Sequence, residues 1–260
     1  APPVLPRPHS ASVLIGGQSG IGKSTLATAL TEQMADRGYQ FCVFDPEGDY
    51  DDLERAVSLA DAATPPQDDE VLKLLSQVDT NVVVNTLNFA LAERPIFFSK
   101  LLPRLGAVRV RTGRPHWLII DEAHHLLPAD REDLRLLLPE DMPAVIFITV
   151  HPADVSIEAL ETVATVIAVG EKAPDVIASF CEAAEIPPPH DVPRPGPRQV
   201  VVWRCRSGEP PVLVTAQRPR QAHKRHTPKN AAGDLGEEEA FYFRGPEGAL
   251  NLRAQNLIIF

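Results

Sequence analysis

Cysteine is scarce in this 260-residue chain: Cys42, Cys181 and Cys205 are odd in number, widely spaced and in no CxxC pair. That spacing argues against a disulfide framework and against a zinc site, and leaves the thiols as small buried apolar side chains. Long apolar runs are missing too. No window approaches the roughly 18 apolar residues that a spanning helix needs. Nor does the N-terminus carry a basic stretch followed by an apolar one, as a signal peptide does. The sequence is therefore read as that of a cytoplasmic protein with no membrane partner. No internal repeat is visible.

What is present is enough apolar material, 44% of residues, to bury one large core, which predicts a single α/β domain with short appendages. The net charge of −10 is unevenly spread. Residues 191–229 hold nine Lys or Arg against Asp191 and Glu209, or +7, leaving −17 for the rest. A basic C-terminal third on an acidic core could meet phosphates, nucleic acid or an acidic partner, and equally could be a solvated face. The chain opens on a proline-rich run (Pro2, Pro3, Pro6, Pro8) with the composition of a linker and closes on the apolar Leu257-Ile258-Ile259-Phe260. Both features lead us to expect fused modules outside these residues.

Between the ends, short apolar runs alternate with helical periodicity. Val13–Gly17, Phe41–Asp45, Val82–Asn85, Trp117–Asp121, Ala144–Val150 and Thr165–Val169 read as strands. Helices are expected over Lys23–Arg37, Asp51–Leu59, Glu70–Val78, Pro95–Val110, Arg131–Leu138, Ile157–Val163 and Asp175–Glu185. Strands this uniformly apolar suit a mostly parallel sheet covered by helices on both faces. Past Pro187-Pro188-Pro189, Gln199–Arg204 and Val212–Thr215 flank Ser207-Gly208-Glu209-Pro210 as an antiparallel β-hairpin. The expected organisation is a linker (1–10), an α/β core (11–190), a C-terminal β-hairpin extension (191–216), and a basic-then-acidic linker leading into a truncated segment (217–260).

Gly17-Gln18-Ser19-Gly20-Ile21-Gly22-Lys23-Ser24 fits GxxxxGK[ST], directly after a strand and directly before a helix, the context that gives this Walker A motif its force. Glycines let the backbone turn its N–H groups onto phosphate oxygens, and the helix N-terminus adds its positive dipole end. Residues 17 to 25 are thus the candidate nucleotide site, with Lys23 reaching the β- and γ-phosphates, Ser24 ligating Mg²⁺ and Thr25 near the α-phosphate. Asp121 ends a buried strand as a Walker B acid should. It would hold the metal shell, while the adjacent Glu122 would orient and deprotonate an attacking water. ATP and Mg²⁺ are the expected ligands. No NKxD base-reading motif is present, which disfavours a GTPase.

Three further segments carry a resemblance. Phe44-Asp45-Pro46-Glu47-Gly48-Asp49-Tyr50, Asp121-Glu122-Ala123-His124-His125-Leu126-Leu127 and Thr149-Val150-His151-Pro152-Ala153-Asp154 resemble the second-strand, Walker B and sensor segments of the HerA/FtsK superfamily of P-loop ATPases, in the ASCE class, over about residues 10–190. The strand Val82–Asn85 falls between the two Walker motifs, as the inserted strand of that class would. The resemblance implies a Mg-dependent ATPase whose turnover drives conformational change, a homo-oligomeric ring, Thr149 or His151 as the γ-phosphate sensor, and Asp45 and Glu47 beside the phosphate site. DNA transport is the usual task of such proteins. The alternatives are a small-molecule kinase and a non-hydrolysing ATP-gated switch. His124, His125 and His151 invite a metal reading, but neighbouring helix residues point apart and Mg²⁺ takes oxygen ligands. Arg104, Arg109, Arg111 and Arg114 are candidates for an arginine finger, with none singled out. The tail, Phe241–Pro246 with Leu250–Leu257, is faintly similar to bacterial proteins that fuse a HAD-type phosphohydrolase to such an ATPase. No DxDx[TV] motif occurs here.

Overall fold

The computed structural model describes residues 12–59, 65–114, 116–131 and 144–220, together with the backbone of 241–244 and 251–254. It contains two compact units, Ala1–Lys224 and Arg225–Phe260. In the second, β10 (Phe241–Arg244) and β11 (Asn251–Ala254) pair as an antiparallel hairpin.

The first unit is a nine-stranded sheet in the order β3-β4-β2-β5-β6-β1-β7-β8-β9. Its strands are β1 (Ser12–Gly16), β2 (Phe41–Asp45), β3 (Ala56–Leu59), β4 (Asn81–Asn85), β5 (Trp117–Ile120), β6 (Val145–Thr149), β7 (Val163–Val169), β8 (Gln199–Trp203) and β9 (Val212–Thr215). All pairings from β3 to β7 are parallel; β8 and β9 add antiparallel. The C-terminal hairpin therefore extends the main sheet. The helices are α1 (Lys23–Asp36), α2 (Asp68–Leu75), α3 (Glu93–Thr112), α4 (Ala123–Leu126), α5 (Ile157–Glu161) and α6 (Ala173–Ala183).

Alternation along the strands divides the core in two. Val13, Ile15, Phe41, Val43, Ile119, Ile146 and Ile148 pack on Leu26, Ala27, Leu30 and Met34 of α1. Leu14, Cys42, Phe44, Leu118, Ile120 and Phe147 face the other way, onto apolar residues of α2, α3, α4, α5 and α6. Both faces of the central strands are thus dry, which is why their sequences read as unbroken apolar runs rather than alternating ones.

Two expectations need correction. No helix forms over Asp51–Leu59. The chain turns at Tyr50–Leu53, and Ala56–Leu59 becomes the edge strand β3, in register Ala56↔Asn81 to Leu59↔Val84. Asn81 ties that edge down: its Nδ2 donates to Arg55 O at 2.9 Å and its Oδ1 accepts from Phe41 N at 3.0 Å. The hydrogen-bonding edge of β4, invisible to helical periodicity, outweighs local propensity. Second, the strand inserted between the Walker A strand β1 and the Walker B strand β5 is β6, not Val82–Asn85, which as β4 lies beyond β2. The helix expected over Arg131–Leu138 falls almost wholly outside the described residues.

The register lines up the carboxyl ends that matter. Gly16 is opposite Thr149, Phe44 opposite Ile120, and Asp45 opposite Asn85. The glycine loop, Asp45, Asp121 and Thr149 consequently leave the sheet along one rim, where ligands bind in open α/β sheets. Much of the basic third is used within the fold: Arg204 pairs with Glu209, Arg206 donates to the Val163 and Glu161 carbonyls, and Arg220 pairs with Glu32 and Asp36 of α1. No helix among the described residues is long and apolar enough to cross a membrane.

Candidate active site

The loop between β1 and α1 has the conformation its glycines allow. Gly22, the residue before α1, has φ 106°, a left-handed geometry costly for any residue with a Cβ, and no side chain caps the helix start. The first-turn N–H groups are thereby left facing out of the helix, the arrangement that suits an anion. Gly17 is needed for a different reason: a Cβ there would come 2.8 Å from the Val169 carbonyl oxygen of β7. Gly17→Ala is accordingly expected to cost about 1–3 kcal/mol of stability by overpacking, measured as a lower urea midpoint. Gln18, Ser19 and Ile21 are exposed along the loop, and Ser24 and Thr25 are half-buried at the helix start.

Lys23 is 6% exposed, and its Nζ donates to the Gln18 carbonyl at 3.2 Å. Burial lowers its pKa, and the carboxylates of Glu122, Asp121 and Glu47, in that order, pull it back up. Acids from two segments, the turn after β5 and the loop after β2, therefore act on the Walker lysine.

Asp121 is buried, and its Oδ1 accepts from the backbone N–H of Glu122 at 2.9 Å. Burial first, then the neighbouring Glu122 and Asp45 carboxylates, push its pKa well up. Glu122 has φ 42° and ψ 55°, a left-handed conformation that a residue with a Cβ adopts only where its surroundings impose it. Burial also raises the Glu122 pKa, against the opposing pull of Lys23.

Asp45 flanks this site without opening into it. Its Oδ1 accepts from the backbone N–H groups of Glu47, Gly48 and Asp49 at 3.2, 2.8 and 3.1 Å, and its Oδ2 accepts from Tyr50 N at 2.8 Å. Burial still lifts its pKa to about 6. The carboxylate is the hub of the 46–50 loop. That loop presents Glu47 toward Lys23 and Glu122, and it buries Tyr50 with its hydroxyl against Ser24, near Asp121 and Asp45. Tyr50 belongs to the quoted segment, but its role had no signal in spacing or charge. The same is true of Arg94, in the first turn of α3, which is buried, donates from Nε to Phe89 O at 3.3 Å and faces Glu47 and Asp45.

The sensor candidates separate. Thr149 is fully buried at the end of β6; its Oγ1 accepts from His151 N at 3.0 Å and lies 3.1 Å from His124 Nδ1. His151 has an exposed side chain, with its ring 5.9 Å from that of His124. Within the chain, Arg104 pairs with Asp68 and Asp69, Arg111 donates to Ser76 Oγ, and Arg109 and Arg114 hold the His116, Gln77 and Ser76 carbonyls.

Among the described residues no three His, Cys, Asp or Glu side chains converge as a protein-only metal cage. The donor set instead suits Mg²⁺, a hard cation that takes a few protein oxygens and completes its shell with water and phosphate. The crowding of Asp121, Glu122 and Asp45, which raises the Asp121 pKa, is what a divalent cation beside Ser24 would relieve.

Comparison with known proteins follows the same lines. A family model described as an AAA ATPase domain matches residues 4–148. No curated protein matches the chain. Among solved structures, the genome packaging NTPase B204 of Sulfolobus turreted icosahedral virus 2, in complex with ATP-gammaS, is similar at 14% identity and TM-score 0.52, over 78% of this chain and 96% of its own. VirB4 of Thermoanaerobacter pseudethanolicus is similar at 11% identity and TM-score 0.55, over 79% and 89%. The plasmid coupling protein TrwB, in complex with ADP and Mg²⁺, reaches 12% identity and TM-score 0.56, over 85% and 89%. The mostly parallel P-loop fold expected from the sequence is the one they share.

Proposed function

Because the chain belongs to the AAA ATPase domain family, we propose that it binds ATP with Mg²⁺ and hydrolyses it, using the turnover to drive conformational change in a HerA/FtsK-like assembly. The observation that carries this reading is that Glu122, Asp121 and Glu47 all act on Lys23, the first residue of the helix that the glycine loop opens.

In this reading the backbone of residues 17–25 holds the phosphates, and Lys23 leaves the Gln18 carbonyl for the β- and γ-phosphate oxygens. Ser24 Oγ and Asp121 would hold Mg²⁺, which when bound neutralises charge on those phosphates. Glu122, free of backbone duties, takes the proton of a water as its oxygen bonds to the γ-phosphorus and the bond to the ADP oxygen breaks. Asp45 acts one step back, by shaping the loop that carries Glu47 and Tyr50. With Thr149 Oγ1 engaged by His151 N and His124, the exposed His151 is the candidate to meet the γ-phosphate directly.

The genome packaging NTPase and the plasmid coupling protein among the neighbours support a motor reading with DNA as the load, and the homo-oligomeric ring follows from the superfamily resemblance alone. Phosphate release from ATP by the purified chain tests the core claim. Glu122→Gln is expected to lower kcat by at least about 100-fold while nucleotide still binds; unchanged turnover would refute hydrolysis at this site. DNA-stimulated turnover that disappears on charge reversal at Arg218, Lys224 and Arg225 supports the motor, and turnover indifferent to DNA supports a regulatory module.

A further inference from the structure

Glu122 Oε2 is buried and, among the described residues, has no hydrogen-bond partner. A carboxylate oxygen hidden from water and left without a donor is costly, so whatever stands next to it matters. His124 Nδ1 is 3.4 Å from Oε2, and the same nitrogen is 3.1 Å from Thr149 Oγ1. The Thr149 hydroxyl is in turn fixed by the His151 backbone N–H at 3.0 Å. The side chains of His124 and Glu122 are only 15% and 13% exposed, so solvent does little to compete for these contacts.

Resting on the hydrolysis reading above, we propose that His124 is a positioning residue for the catalytic base. Its Nδ1–H bridges Thr149 Oγ1 and Glu122 Oε2, locks one carboxylate oxygen and leaves Oε1 to take the proton of the attacking water. Thr149, whose Oγ1 is held by His151 N and lies against His124, acts through this bridge: movement at the end of β6, next to the exposed His151, is handed to Glu122 through the imidazole. Burial and the neighbouring His125 and His151 lower the His124 pKa to about 4, so the ring is neutral at physiological pH and has a single N–H to place. A carboxylate oxygen only accepts, so the bridge takes the tautomer with the proton on Nδ1. A short shift of the ring brings Nδ1 within hydrogen-bond reach of Oε2 without breaking the contact to Thr149.

The test separates nitrogen position from mere packing. Asn presents an N–H near the place of Nδ1, Gln presents one near Nε2, and Ala presents none. His124→Asn is expected to keep kcat within about three-fold of the parent, while His124→Gln and His124→Ala lower it ten-fold to about 100-fold, the scale of a misplaced catalytic group. KM for ATP should move less than about two-fold in all three, since none touches the phosphate loop. Thr149→Val should lower kcat in the parent and have no further effect in His124→Ala, as members of one network do. Equal losses in the Asn and Ala variants, or additive losses with Thr149→Val, overturn the bridge. If Glu122→Gln itself leaves turnover intact, the hydrolysis reading has failed. If that variant is inactive and His124→Ala is not, only the bridge has failed.

Discussion

Lys23→Ala is expected to abolish nucleotide binding, with ATP affinity lower by at least about 100-fold, or roughly 2.7 kcal/mol, in equilibrium titration. The lysine is a cation on which Glu122, Asp121 and Glu47 all act. Without it the phosphates meet those carboxylates with the balancing ammonium gone. Lys23→Arg should fare little better. The ammonium reaches the Gln18 carbonyl from a nearly buried position, and a planar guanidinium neither fits that space nor acts as a compact point charge. The fold should survive both changes, because Leu26, Ala27, Leu30 and Met34, which anchor α1, are untouched. An unchanged far-UV circular dichroism spectrum would show this. Retained ATP affinity in Lys23→Ala would overturn the assignment of the loop.

The reasons this site could be read from sequence, and the reasons some of it could not, lie in the kinds of interaction involved. The glycine loop and the acidic pair after β5 are local patterns: the backbone needs Gly22 at positive φ, and the metal-holding acid must end a buried strand. Central strands were legible because burial on both faces leaves unbroken apolar runs. The 51–59 segment was misread because its strand exists only by pairing with β4, a partner more than twenty residues later. Likewise, that β6 rather than β4 lies between the Walker strands is a fact of sheet order, which no window of sequence contains. Asp45 was placed near the phosphates but its four backbone donors were not foreseen, since they depend on how residues 47–50 curl back. Tyr50, Arg94 and the contact between His124 and Thr149 arise from packing between elements. An arginine at the start of α3 looks, in sequence, like any solvated charge.

Asp45 supplies the second large effect, and it is one of architecture rather than chemistry. Asp45→Ala leaves the N–H groups of Glu47, Gly48, Asp49 and Tyr50 without their acceptor, those of Gly48 and Tyr50 in buried surroundings. Each buried orphan costs about 1–3 kcal/mol, though the four are not additive. Against this stands the cost of burying the charge, visible in a carboxyl pKa lifted to about 6, and the substitution removes that cost. The four donors outweigh it, and a net loss of about 2 kcal/mol is expected, measured as a lower urea midpoint with unchanged slope. Asp45→Asn, with its carbonyl oxygen in the place of Oδ1, keeps the Glu47, Gly48 and Asp49 donors but turns an N–H₂ toward Tyr50 N, so its loss should be smaller without vanishing. Turnover should fall more steeply than stability in both variants, because the displaced loop carries Glu47, which faces Lys23 and Glu122, and Tyr50, which lies against Ser24. Turnover that follows the folded fraction alone would show that the loop is a passive brace.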